Sequence, residues 1–329
     1  MRKLHLILAC LLPILAFTVI VKGAYVRLTD AGLGCPDWPG CYGQLLVPET
    51  AQEITDAESL AARPLETGKA WSEMIHRYMA SGLGALILVL AALAWQQRRA
   101  QKPWVALTLV PLVMFQGLLG MWTVTLLLKP LVVALHLLGG FTLLSLLWWN
   151  LLEVGGASRA APGVQAVNAL RPWALFAVAA VFLQAFLGGW TSTNYAALAC
   201  TDFPRCHGQW WPEMDFANGF VLWRGLGINY EFGVLETPAR TAIHFTHRLG
   251  AVVVLLTLLW VFRQTRRLPA AGRAIGWCIL ALLTLQIALG VTNVVRGLPL
   301  PVAVMHNGVA ALLLLSVVTL YRYTRPSGP

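Results

Sequence analysis

Four histidines recur in two pairs. His76 is followed by Arg77 and His247 by Arg248, while His136 and His306 each stand twenty residues after a glutamine, Gln116 and Gln286, with Gly120 and Gly290 between. A single histidine in an apolar helix can simply hydrogen-bond a neighbouring helix. A two-by-two recurrence asks for more, because ionisable groups inside a bilayer are costly and usually mark a functional path. Imidazoles on facing helices, whose axes pack about 8 to 10 Å apart or wider around a ligand, suit an iron porphyrin held by two axial nitrogens. Zinc is served less well, since a pair supplies only two ligands and no carboxylate recurs at the matching position.

The pairs differ at one place. Glu73 lies three residues before His76, and His244 lies three residues before His247, a spacing that puts each on the same helix face as its histidine. A carboxylate beside a bound macrocycle can take a proton or stabilise developing positive charge. Alternatively, Glu73 only favours the positive end of a helix dipole, an effect of about 0.3 to 1 kcal/mol. His244 is either a supporting partner or an alternative ligand. Arg77 and Arg248 either anchor porphyrin propionates through charge-assisted bonds or snorkel to the headgroups. His5 and His207 have no counterpart in the repeat and receive no role.

These residues must be positioned by membrane helices. Of 329 residues, 58% are apolar and 12% charged, and eight apolar runs reach the roughly 20 residues that cross a bilayer core. They fall near Leu4 to Val26, Glu73 to Trp95, Trp104 to Leu128, Leu131 to Leu152, Pro172 to Thr193, Thr241 to Phe262, Ala274 to Val295 and Pro301 to Tyr321. The histidines are expected about one turn inside their helices. The first run is read as a mature helix, because no small-residue cleavage motif follows it. Arg2, Lys3, Arg98, Arg99, Lys102, Arg159, Arg171, Arg263, Arg266, Arg267, Arg273, Arg322 and Arg325 gather on one side, which is therefore cytoplasmic and holds both termini. Of the fourteen Asp and Glu residues only Glu153 shares it. The net charge of +10 thus reports topology and not nucleic-acid binding.

Two long loops face outward, about residues 27–72 and 194–240, and each carries a cysteine pair: Cys35 and Cys41, Cys200 and Cys206. An oxidising compartment permits disulfides there. Between Ala31–Gln44 and Ala196–Gln209, Ala, Leu, both Cys, Asp, Pro, Gly and Gln coincide. Such a repeat means two related structural units. The fold class is therefore an all-α integral membrane protein of two tandem four-helix bundles, residues 1–160 and 161–329, related by a pseudo-two-fold axis along the membrane normal. Cys10 and Cys278, inside spans, are expected to be small buried apolar residues.

Taken with Arg27-Leu-Thr, Ala31-Gly-Leu, Cys35-Pro-Asp-Trp-Pro, Glu73-x-x-His76-Arg77, His136, His247-Arg248 and His306, nearly the whole chain resembles the haem A synthase family. The resemblance implies a membrane oxidoreductase that converts a methyl group of haem O to a formyl group by way of an alcohol. It implies that His76 and His136 face the substrate haem, that His247 and His306 ligate a resident b-type haem that passes electrons, and that Glu73 is the catalytic carboxylate. It points to a haem O synthase and an electron acceptor as partners, and to a bacterial plasma membrane, no Arg-rich and Ser-rich transit segment preceding the first run. Family members vary in their outer-loop cysteines, whereas this chain has a pair in each loop.

Two other classes compete. A quinol-linked di-haem carrier of electrons would keep two permanent haems, more naturally at different depths. A thiol oxidoreductase would use closely spaced cysteines, whereas here five residues including a proline intervene, as in a structural clamp.

Overall fold

The computed structural model describes residues 2–60, 64–98, 103–157 and 165–325. Arg99, Lys102 and Arg159, and the 160/161 boundary between halves, lie outside the described residues. The elements are helical: α1 (Arg2–Leu28), α2 (Ala51–Leu60), α3 (Thr67–Gln96), α4 (Trp104–Thr125), α5 (Pro130–Val154), α6 (Gln165–Thr193), α7 (Phe216–Gly219), α8 (Thr237–Thr265), α9 (Ala270–Val295) and α10 (Leu300–Tyr323). All but the short α2 and α7 are long and apolar enough to cross a membrane, and the chain is a multi-pass membrane protein.

Several helices outrun their apolar segments. α3 starts at Thr67 and α8 at Thr237, because polar first turns continue the helix beyond the apolar run, in α8 with a proline near its start, where a missing N–H costs nothing. His76 and His247 therefore sit nine and ten residues into their helices (76 − 67, 247 − 237), more than two turns rather than one. Glu73 is six residues in (73 − 67), and no acidic residue occupies the first turn of α3. The dipole explanation for Glu73 fails, since that effect fades within one turn.

One packing pattern occurs twice. α1 lies against α3 and α5, and α4 against α3 and α5; α6 lies against α8 and α10, and α9 against α8 and α10. The halves meet through α1 on α10, α6 on α5, and α5 on α10. A shared apolar core, with Leu12, Ile87, Leu90, Leu144, Leu258, Leu314 and Leu320 sealed and Ala174 and Ala177 letting backbones approach, runs through both. In lipid such close packing, not water exclusion, holds helices together. Cys10 and Cys278 depart from expectation. Both are exposed, on helix faces that no other helix covers.

Polar bonds mark the seam. Arg27 donates to the Ser192 carbonyl oxygen at 2.5 Å and stacks on the Tyr195 ring, 4.1 Å from its centroid. The Tyr195 hydroxyl donates to Asp30 at 2.9 Å. At the opposite end Arg322 donates to the carbonyls of Leu152, at 2.8 Å, and Ala157, at 3.1 Å.

Each cysteine loop is one small device built twice. Disulfides join Cys35 to Cys41 and Cys200 to Cys206. Backbone bonds in both directions link Cys41 with Gln44 and Cys206 with Gln209, closing two-residue turns. Tyr42 and Gly43 have φ of 54° and 76°, His207 and Gly208 53° and 73°; two consecutive left-handed residues define a type I′ turn and account for the repeated glycine. The repeated aspartate caps it: Asp37 accepts from the Tyr42 and Gly43 N–H groups at 2.6 and 2.9 Å, and Asp202 from those of His207 and Gly208 at 2.7 and 2.9 Å.

Candidate functional site

Each recurring histidine lies edge-on to a glycine of the neighbouring helix. A Cβ on Gly23 of α1 would stand 2.9 Å from Cε1 of His76, and one on Gly120 of α4 would stand 3.4 Å from that of His136. The distances are 3.1 Å for Gly188 of α6 with His247 and 3.1 Å for Gly290 of α9 with His306. At Gly23, Gly188 and Gly290 a side chain would press on the ring, whereas at Gly120 it would only touch it. His76 and His136 are within electrostatic range of each other, as are His247 and His306, so the two pairs expected from spacing are brought together.

Glutamines meet three of these histidines, two of them at the ring. Gln116 donates to the His136 carbonyl at 2.9 Å, Gln184 donates to the His247 carbonyl at 2.9 Å and meets its Nδ1 at 3.0 Å, and Gln286 meets Nε2 of His306 at 3.3 Å. In His76 and His136, Nδ1 is sealed without a partner, while each ring keeps partial exposure. Two pairs of imidazoles, each ring packed against a glycine of a neighbouring helix and three of them with a buried Nδ1 that no protein group satisfies, fit the holding of an iron porphyrin. Among the described residues no three His, Cys, Asp or Glu side chains gather as a metal-ion site.

Glu73 is buried beside His76 and fully engaged. One oxygen pairs with Arg77 at 2.6 Å, and the other accepts from the Cys35 N–H at 3.0 Å. Arg77 in turn donates to the Asp37 and Gly40 carbonyls at 2.9 and 2.5 Å. The carboxylate, one helical turn from His76, is thus held against the disulfide loop. In the second half His244 takes the same place and its Nδ1 meets the Ala196 carbonyl at 2.9 Å, while Arg248 donates to the Arg205 and Asp202 carbonyls, both at 2.8 Å. Both arginines hold the loops down. Neither snorkels, and their guanidinium groups already carry loop carbonyls where propionate contacts were expected.

Sequence reasoning passed over Gly23, Gly188 and Gln184, which lie on α1 and α6, the first spanning helix of each half, neither of which brings a histidine to a pair. It also passed over Lys129, buried and donating to the Arg224 and Gly225 carbonyls with its ammonium 3.9 Å from the centre of the Trp223 ring. That contact pins the second long loop to the turn before α5.

Eight helices long and apolar enough to cross a membrane, packed in a repeated pattern with two imidazole pairs among them, define a helical multi-pass membrane protein. The model of the COX15-CtaA family, described as cytochrome oxidase assembly protein, matches residues 6–318, and the chain belongs to that family. It is 48% identical over 309 residues to the heme A synthase of Shewanella oneidensis, with 93% of each chain covered. It is 28% identical over 337 residues to the heme A synthase of Caulobacter vibrioides, covering 95% of this chain and 94% of the relative. The heme A synthase of Halalkalibacterium halodurans is 26% identical over 305 residues, covering 90% and 88%.

Proposed function

We propose that this chain is an oxidoreductase of haem A synthesis, converting a methyl group of haem O to a formyl group through an alcohol. Membership of the family and the 48% identity to a heme A synthase support the pathway. The division of labour rests on one observation: a buried carboxylate stands beside only one of two otherwise matching imidazole pairs.

On this reading residues 1–160 take the haem O substrate between His76 and His136, and residues 161–329 hold a b-type haem through His247 and His306. When bound, the b-type haem supplies a one-electron redox centre. Glu73 places negative charge next to the substrate ring, where an ionised carboxylate stabilises positive charge developing at the reacting carbon. Arg77 and the Cys35 amide fix its orientation. The cysteine loops shield the pairs from water. Both termini are cytoplasmic and the loops face outward from a bacterial plasma membrane, where a haem O synthase delivers substrate and an electron acceptor collects electrons.

Co-expression with a haem O source, followed by haem extraction and mass analysis of the purified protein, tests this. Haem O, a hydroxylated intermediate or haem A beside haem B is the expected result. Haem B alone at both sites would instead mark a di-haem electron carrier.

A further inference from the structure

The second cation at the first pair is one that neither the mechanism nor the repeat uses. Lys22 lies within the membrane-spanning part of α1, next to Gly23, on which the His76 ring rests. Its ammonium donates to the Ser72 hydroxyl at 3.0 Å and sits 4.6 Å from the centre of the Tyr25 ring. It forms no ion pair among the described residues, whereas nearby Lys69 pairs with Glu66 at 2.9 Å. A lone ammonium inside a membrane helix is costly to keep, so a ligand with a carboxylate is its natural counter-ion.

Position supports this. Ser72 and His76 are four residues apart and share a face of α3, so Lys22 lies about one turn nearer the cysteine loop than the imidazole. There a cleft of about 380 Å³, lined by Tyr25, Thr29, Ser72 and the ion-paired Lys69 and Glu66 among others, opens between α1 and the start of α3, and Lys22 adjoins it through Ser72 and Tyr25. Arg77, the obvious anion-binding candidate, is occupied by Glu73 and the loop carbonyls.

The second half lacks this arrangement. With the cysteine loops 165 residues apart and the α3 and α8 histidines 171 apart, Lys22 corresponds to Leu187 and Ser72 to Ile243, the latter 1% exposed. An apolar pair has replaced a charged one.

We infer that Lys22 is the substrate-anchoring cation of the first half: its ammonium binds a propionate carboxylate of the porphyrin that His76 and His136 hold, and the cleft beside it admits that edge of the ring. This rests on the reading of the first half as the porphyrin substrate site. The second half, with Leu187, holds its porphyrin without such an anchor.

The test is titration of the full-length protein, its second site already loaded, with haemin and with haemin dimethyl ester, which has no carboxylates, followed by Soret absorbance. Wild type should bind haemin about tenfold more tightly than the ester, the gain expected for one charge-assisted bond. Lys22→Met should abolish that preference by weakening haemin alone, and Lys22→Arg should keep it. The inference is overturned if Lys22→Met keeps the preference, or weakens both ligands alike as lost packing would. A His76→Ala control separates the underlying reading: if uptake of neither porphyrin depends on His76, the first half is not a porphyrin site and the role of Lys22 falls with it.

Discussion

Glu73 illustrates how much one residue can carry at a site. It stands one helical turn from His76, and its carboxylate holds Arg77 and the Cys35 amide, so two kinds of damage can be separated. Glu73→Ala leaves Arg77 buried with its charge uncompensated and should cost about 3 kcal/mol of stability. Glu73→Gln keeps an acceptor for the Cys35 N–H, and should fold and load porphyrin while losing formyl product; mass analysis of extracted haem reads the difference. Full formyl yield from the Gln variant would remove Glu73 from the chemistry. Gly188 gives a second expectation. Gly188→Val puts methyl groups where the His247 ring lies, and overpacking of this kind costs about 1–3 kcal/mol. The variant should lose bis-imidazole spectral character at one haem only. The histidines were legible in the sequence because a polar residue in an apolar helix stands out and these recur, and Glu73 was legible because it breaks that recurrence. Gly23 and Gly188 were not, since a glycine in such a helix carries no mark of what packs on it. Lys22 was hidden because it has no counterpart in the second half. The arginines were visible, but their loop partners were not, because nothing local says that a loop forty residues earlier folds back to meet them.

At the scale of elements the cysteine loops are the most informative. The repeat of Cys, Asp, Pro, Cys, Gly and Gln suggested redox chemistry as well as structure, and each of Cys, Asp and Gly has a place in a closed turn: a covalent tie, an aspartate cap and a left-handed glycine. The Gly208 N–H, followed by that of His207, holds the Asp202 carboxyl below the usual carboxylate range. A depressed native value means this contribution is present above the unfolded pKa of about 3.9 and is lost as pH falls through the lower native value. Protection factors against hydrogen exchange at His207 and Gly208 should therefore fall as pH drops from about 4 through that lower native value, and Asp202→Asn should lower both at neutral pH and flatten the response. Unchanged exchange in that variant would show that the disulfide alone keeps the turn. Helix number and order were readable from hydropathy, whereas the starts of α3 and α8 were not, because polar turns extend a helix without adding apolar signal. That shift of about one turn moved Glu73 out of reach of the helix dipole and left its partners as the explanation.

Over the whole molecule the two halves depend on each other. Arg27, Asp30, Ser192 and Tyr195 tie them at the loop end, and Arg322 ties them at the other. Tyr195→Phe should lose about 1 kcal/mol, the usual net value of one hydrogen bond, and a double-mutant cycle with Asp30→Asn in reversible SDS unfolding should show most of that loss as coupling. Additive losses would mean that the ring's stacking on Arg27, not the hydroxyl, holds the seam.

The partners across that seam share one property. Arg27 and Ser192, and Asp30 and Tyr195, are 165 residues apart, the offset of the cysteine loops; Leu152 and Arg322 are 170 apart, the offset of His136 and His306. Positions that meet their own counterparts lie on a symmetry axis. Such contacts are the mark of an isologous interface, so the two sides of this chain face each other as two copies of one subunit would. The sides are not copies, however. Arg27 meets Ser192 and Asp30 meets Tyr195, so each contact joins a donor to an acceptor where like would otherwise meet like. Glu73 and Lys22 stand on one side alone, and the halves of this chain are not interchangeable.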